Sequence, residues 1–371
     1  MSKSLFRISS KYLEAENFER ELEAKINVKH AICVNSGTSA LQCCLAALNI
    51  GPGDEVIVPA YTYMATANAV LAVGAIPVLA EVNETQTIDV ADVEKKISKY
   101  TKAVIPVHLN GHPCDLDSLK ALCDPRGIKI IEDSCQADGG SYKGQRLGTI
   151  GAAGAFSFNY FKIISAGEGG AVLTNDDTYY ERALIYHDTG TAYRPYAEAM
   201  TEPFFSSYNM RTNEIAAAVL REQLKRLDGI LEDLRRVKNE IAAGVKLNAG
   251  VHLTPSNDPE GDCCTHLGLI FDDADRAAAF ATAVGGLCLI NSKKHIYINW
   301  DPMLNRLGGH TEAMNPYLDP ANADLNKEIN PDTCPVTLDI LRRSVNISMN
   351  PDWTAEEIAE KIAKINAALE A

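Results

Sequence analysis

Four short stretches carry the residue types that could do chemistry. "SFNYFKIISAGEGG" (157–170) sets one lysine, Lys162, between an aromatic pair, Tyr160 and Phe161, and a glycine-rich run. Most lysines are solvated surface charges, because burying an unpaired ammonium is costly. A lysine held at a pocket can instead act as a nucleophile or carry a proton. "KIIED" (129–133) ends an apolar run on Asp133. A carboxylate there either caps a turn or needs a partner to keep its charge. "SGTSA" (36–40) puts Gly37 and Thr38 at a helix start. Free N–H groups and the helix dipole make such a stretch an anion cradle, and a hydroxyl there is also an ordinary N-cap. "AYTYMAT" (60–66) offers Tyr63, an aromatic that can wall a flat pocket or pack into a core.

These stretches need a scaffold that brings them together, and the sequence supplies one. Apolar runs at 30–35, 55–59, 76–82, 102–108 and 129–133 alternate with helical patterns at 39–49, 63–74, 90–98 and 116–124. Continuous apolar strands separated by helices indicate a parallel sheet covered on both faces. Two further strands, 154–158 and 170–175, flank the lysine loop. Open sheets of this kind bind ligands at the carboxyl ends of their strands, which is where all four stretches fall. From Asn213 to Leu247 apolar residues recur at spacings of three and four, as in one long or broken helix connecting to a smaller unit. Beyond it, 265–271, 276–286, 342–349 and 354–369 suggest a small α+β domain, with polar, proline-containing loops at "SNDPEGD" and "MNPYLDPANADLN". The expected division is 1–228 for a large domain and 229–371 for a small one.

An anion cradle, an aromatic wall, a buried acid and a lysine near one sheet edge fit pyridoxal 5′-phosphate (PLP). Its phosphate needs N–H and OH donors, its ring a stacking face, its pyridinium an acid and its aldehyde an amine. No G-x-G-x-x-G follows the first strand and no G-x-x-x-x-G-K-[ST] occurs, so the dinucleotide and nucleoside-triphosphate readings lack their markers.

Composition narrows the classes further. The 371 residues are 46% hydrophobic and 23% charged, an ordinary globular balance. A net charge of −14 argues against nucleic acid as a general partner. No long apolar run suggests a membrane span, and the N-terminus has no apolar signal-peptide core. The ten cysteines show no framework spacing and include two adjacent pairs, Cys43–Cys44 and Cys263–Cys264, so free thiols in a reducing cytoplasm are expected. The closest histidines, His108 and His112, straddle a turn with no third ligand nearby, and no metal site is expected.

The motifs "NSGTSAL" (35–41), "GPGDEVIVPAYTYMATANAV" (51–70), "VHLNGHPCDLD" (107–117), "IIEDSCQA" (130–137), "SFNYFKIISAGEGGAV" (157–172) and "YNMRTNEIAA" (208–217), in this order, resemble the DegT/DnrJ/EryC1/StrS sugar aminotransferases. The resemblance runs from about Phe18 to the C-terminus. It implies an α/β, fold-type I PLP-dependent transferase, with a mostly parallel central sheet in a large domain and a small C-terminal α+β domain. Residue by residue, it makes Lys162 the Schiff-base lysine and Asp133 the acid on the pyridine nitrogen. Gln136 would lie beside the ring hydroxyl, Gly37, Thr38 and Ser157 would bind the phosphate, and Tyr63 would stack on the ring. Asn209 would reach the phosphate of a neighbouring subunit, which implies a homodimer with shared sites. The implied reaction moves an amino group from L-glutamate to a keto-sugar.

Three features depart from the family or refine it. Tyr160 and Phe161 are bulkier than the small polar residues usual there. The segment before "FERELE", which in the family helps build the sugar pocket, is short. "DPEGD" (258–262) and "RRSVNISMNPDWT" (342–354) look most like the subgroup that aminates the C8 carbonyl of an oxidised 3-deoxy-octulosonate sugar acid. An inosose is the alternative acceptor. A sugar dehydratase on this scaffold would carry histidine in place of Lys162, and a non-catalytic regulator would be expected to lose Lys162 or Asp133. Arg342 or Arg343, read as lying near a strand end, is a candidate carboxylate-binding residue; a solvated pair is the alternative.

Overall fold

The computed structural model describes residues 13–190 and 199–371. Of the short segment before Phe18 that the family resemblance ties to a sugar pocket, residues 1–12 lie outside them.

The chain opens with α1 (Glu14–Ile26) and then alternates as its hydrophobic pattern dictates: β1 (His30–Val34), α2 (Gly37–Ala47), β2 (Glu55–Pro59), α3 (Ala65–Ala72), β3 (Ile76–Ala80), α4 (Val90–Lys96), β4 (Thr101–Val104), α5 (Leu116–Cys123) and β5 (Lys129–Asp133). A small hairpin of β6 (Ser141–Tyr142) and β7 (Gln145–Arg146) precedes β8 (Ala153–Ser157), β9 (Gly170–Thr174) and α6 (Asp177–His187). Seven strands form one sheet in the order β1-β9-β8-β5-β4-β2-β3. β9 runs antiparallel to both of its neighbours, and the other pairings are parallel. The mostly parallel sheet is therefore as expected. Its strands are buried on both faces: Val56 and Val58 join one core with Leu41 and Val70, while Ile57 between them joins the other with Val104 and Phe156. That two-sided burial is why these strands read as unbroken apolar runs.

α7 (Glu214–Gly244) is a single helix of 31 residues. The Asn213 side chain caps it by accepting the Ala216 N–H at 2.9 Å. Leu220, Leu224, Leu227 and Leu231 lie in the core of the large sheet, and Leu234, Val237 and Ile241 lie in a second core. The chain then forms β10 (Val251–Leu253), β11 (His266–Phe271), α8 (Ala274–Val284), β12 (Leu287–Cys288), α9 (Asp301–Leu304), α10 (Pro335–Arg343), β13 (Ser344–Ser348) and α11 (Ala355–Glu370). The four strands make an antiparallel sheet in the order β10-β11-β13-β12.

Between β12 and β13 the chain leaves this second sheet. Leu289, Ile296, Tyr297, Trp300, Met303 and Tyr317 are buried in the same core as Val58 and Ala60. Residues 289–341 thus lie within the 229–371 span and pack on the large sheet. The proline-containing stretch within them is ordered by local caps: Asn315 Oδ1 accepts the Tyr317 N–H at 3.2 Å, and Asn322 Nδ2 donates to the Gly74 and Pro316 carbonyls at 2.9 and 2.8 Å.

The strand expected at 342–349 begins two residues later. Arg342 and Arg343 form the last turn of α10, where the helix dipole favours cations. Arg343 donates to Asp339 one turn back and to the Phe271 carbonyl at 3.0 Å. The two arginines thus sit at a helix end just before β13, and not within the strand expected at 342–349.

Candidate active site

The site is built where β1, β2, β5 and β8 end. Asp133, the last residue of β5, is 4% exposed. Its Oδ2 accepts the Thr66 hydroxyl at 2.7 Å and its Oδ1 accepts the Cys135 N–H at 3.2 Å. Thr66 is bonded in turn to Thr62 at 2.9 Å. The loop after β2 and the loop after β5 are therefore locked to each other through one carboxylate.

Gly37 begins α2, with Ser36 as its cap: Ser36 Oγ accepts the Ser39 N–H at 3.1 Å and its carbonyl accepts the Ala40 N–H at 3.0 Å. The Gly37 and Thr38 N–H groups are left without intrahelical partners, as at any helix start. A Cβ on Gly37 would stand 2.8 Å from both Cys135 Sγ and Ser157 Cβ. Glycine is thus what lets the helix N-terminus press onto the ends of β5 and β8. Ser157, at the end of β8, is buried.

The lysine loop is closed on itself. The Phe158 N–H donates to the Gly169 carbonyl at 2.8 Å and the Ala166 N–H to the Phe158 carbonyl at 3.1 Å. Gly167 takes φ +85°, a conformation other residues rarely adopt. Lys162 is half-buried in this loop, and its N–H donates to the Asn159 carbonyl at 3.0 Å. Burial pushes the Cys135 thiol and the Asp138 carboxyl well up, and in both cases the Lys162 charge pulls the other way. The Lys162 charge therefore acts on the loop that follows Asp133. Tyr160 and Phe161 beside it are 67% and 75% exposed, with ring centroids 3.9 Å apart.

Asp138 escaped the sequence reading. It is fully buried, and among the described residues neither carboxylate oxygen has a hydrogen-bond partner. Burial holds it protonated well above the usual carboxylate range. Its only signal in sequence was a second acid five positions after Asp133.

Tyr63 is 38% exposed. The segment 293–300 is laid along the Tyr61–Met64 loop: the Thr62 N–H donates to the His295 carbonyl at 2.9 Å, the Met64 N–H to the Lys294 carbonyl at 3.1 Å, and the Tyr297 N–H to the Ala60 carbonyl at 3.1 Å. This brings the His295 ring to 5.5 Å from the Tyr63 ring, and Lys294 Nζ to 4.8 Å from the ring centre and 3.3 Å from the Tyr63 hydroxyl. The sequence reading placed neither residue at the site; more than 200 positions separate them from Tyr63, and no local pattern marks them.

Gln136 is half-buried, and its Oε1 accepts the Asn110 N–H at 3.1 Å. Asn209 is exposed and pairs through its backbone with Asp188, while Asn35 beside the α2 cap donates its N–H to the Met210 carbonyl at 2.8 Å. Among the described residues no hydrogen bond ties the Asn209 side chain to Gly37, Thr38 or Ser157.

The two histidines of "VHLNGHP" face different acids. His108 Nε2 lies 3.1 Å from Glu132 Oε2, and its Nδ1 accepts the Cys114 N–H at 3.0 Å, which puts the hydrogen on Nε2. His112 Nδ1 lies 3.1 Å from Asp262 Oδ2, which also takes Lys238 at 2.6 Å. Among the described residues no group of three or more His, Cys, Asp or Glu could hold a metal ion, and no helix is long and apolar enough to cross a membrane. All ten cysteines are free.

Residues 7–282 match the model of the DegT/DnrJ/EryC1/StrS aminotransferase family. The chain belongs to that family. It is 39% identical over 247 residues to GDP-perosamine synthase of Escherichia coli O157:H7, covering 66% of each chain. It is 41% identical over 264 residues to dTDP-3-amino-3,4,6-trideoxy-alpha-D-glucose transaminase of Streptomyces venezuelae, covering 70% of this chain and 68% of that one. These matches thus span about two thirds of the curated relatives. The crystal structure of S. venezuelae DesV in complex with a ketimine intermediate superposes with a TM-score of 0.77 at 31% identity, over 96% of this chain and 90% of that one. The α/β architecture with a mostly parallel central sheet and a small antiparallel sheet is that of fold-type I aminotransferases.

Proposed function

We propose that this protein is a PLP-dependent aminotransferase that moves the amino group of L-glutamate to a keto-sugar in the making of an amino-sugar. The observation that carries the reading is the sheet edge where the buried Asp133, bonded to Thr66, lies beside the close approach of Gly37 to Ser157, with Lys162 on the loop that follows β8. The finer reading of the acceptor is an oxidised 3-deoxy-octulosonate sugar acid, resting on "DPEGD" and "RRSVNISMNPDWT"; an inosose is the alternative.

The residues fit the cofactor. The close contact at Gly37, which a Cβ would fill, leaves the Gly37 and Thr38 N–H groups and Ser157 to hold a phosphate. Tyr63 offers a stacking face. Asp133, fixed by Thr66, is an acid for the pyridine nitrogen, and Gln136 lies on the same loop for the ring hydroxyl. When bound, PLP supplies an electron sink for the charge released at the substrate carbon.

The protein supplies the rest. Asp133 keeps the ring nitrogen protonated. Lys162 would hold the cofactor through its side-chain amine, and that amine, when free, would be the acid and base for the proton at the substrate carbon. Asn209 serves the neighbouring subunit's phosphate in a homodimer, and a net charge of −14 speaks against nucleic acid as a partner. Lys162 and Asp133 are both present, which speaks against the dehydratase and regulator readings.

Borohydride reduction of the PLP-supplied protein, followed by peptide mass spectrometry, is expected to find the pyridoxyl mass on the Lys162 peptide. An unmodified peptide overturns the reading. A panel of nucleotide-linked keto-sugars, free keto-sugar acids and inososes then identifies the acceptor.

A further inference from the structure

Lys294 is a cation in a place that calls for an anion. Its backbone is fixed: the carbonyl accepts both the Met64 N–H at 3.1 Å and the Trp300 Nε1–H at 2.9 Å, and Trp300 is fully buried. Its ammonium is held over the Tyr63 ring, 4.8 Å from the centre. No carboxylate among the described residues lies within ion-pairing reach of it, in a chain whose acids outnumber its bases.

The neighbourhood carries uncompensated positive charge. His295, tilted beside Tyr63, is held below its usual range chiefly by burial; a hydrogen bond to the Ser292 carbonyl opposes this, and the Lys162 and Lys294 charges add to it. Both lysine charges thus act on one half-buried imidazole. A cation with no carboxylate partner at the edge of the site suits a ligand that brings a negative group there.

Building on the aminotransferase reading, we propose that Lys294 is a specificity-determining residue that receives the anionic group, carboxylate or phosphate, of a substrate entering on the Tyr63 side of the site. The group belongs either to the dicarboxylate amino donor or to the sugar acceptor, whose anion is a sugar acid's carboxylate or a nucleotide's diphosphate.

The test is isothermal titration of the PLP-loaded protein and its variants with four probes that cannot react: glutarate, gluconate, dTDP and GDP. In Lys294→Met, at least one probe is expected to bind tenfold or more weakly. Lys294→Arg should restore that probe to within threefold of wild type. Lys293→Met, at an equally exposed neighbour, should leave it unchanged, since a general loss of surface charge would weaken both variants alike. Weakened glutarate assigns the anion to the donor, and weakened gluconate or nucleotide assigns it to the acceptor. The proposal is overturned if no probe binds the wild type, if every probe binds Lys294→Met within threefold of wild type, or if Lys293→Met weakens binding equally. Failure of the aminotransferase reading is seen separately, as a wild-type cofactor spectrum that L-glutamate leaves unchanged.

Discussion

The Thr66 hydroxyl donates a 2.7 Å hydrogen bond to Asp133 Oδ2, joining the first turn of α3 to the end of β5. Both residues are almost fully buried, so the acid is oriented by a partner that water cannot replace. Thr66→Val leaves that oxygen unsatisfied, at a cost of about 1–3 kcal/mol. We expect a lower melting temperature and weaker PLP retention, measured by thermal denaturation and by cofactor release on dialysis. Retention equal to wild type would show that Asp133 does not depend on Thr66.

Gly37→Ala tests the cradle. The new methyl would meet Cys135 Sγ and Ser157 Cβ at 2.8 Å, so the helix start must move off the sheet edge. Overpacking of this kind costs about 1–3 kcal/mol. The PLP dissociation constant, followed by absorbance titration of the stripped protein, is expected to rise at least tenfold. An unchanged constant would mean that the phosphate lies elsewhere.

Asp138 gives the protein a pH dependence with a definite sign. Its folded carboxyl is held protonated by burial, while in the unfolded chain it ionises near pH 4. The folded state thus binds more protons, and stability falls as pH rises above the unfolded value. Asp138→Asn removes that loss. Urea unfolding should show the variant more stable than wild type by about 1–3 kcal/mol at pH 8 and nearly equal to it at pH 4. Parallel wild-type and variant curves across that range would refute the assignment.

Arg343 is expected to matter for stability and not for substrate. Its bonds to Asp339 and the Phe271 carbonyl brace α10 against β11. Arg343→Ala should lower stability by about 0.5–1.5 kcal/mol in urea titration. The glutamate KM should stay within twofold of wild type, and a larger rise would return this arginine to the binding site.

Much of this was legible in the chain. The doubly buried strands β2 and β3 declare themselves as unbroken apolar runs, and a strand that ends in Asp133 or opens onto Gly37 marks the edge where ligands bind. The antiparallel course of β9 was not readable, because a short buried strand looks the same in either direction. Lys294 and His295 escaped notice because their place depends on hydrogen bonds to Thr62 and Met64, made across more than 200 residues. The start of β13 was missed because Arg342 and Arg343 suit a helix end as well as a strand.

The return of residues 289–341 to the large sheet means that the C-terminal third cannot be cut away as an independent unit. A fragment ending inside α7 would leave Val58, Ala60 and Tyr61 bare where Tyr297 and Trp300 now cover them. The polypeptide crosses between its two halves through α7, after β12 and again before β13, so the halves are stitched together and should melt as one.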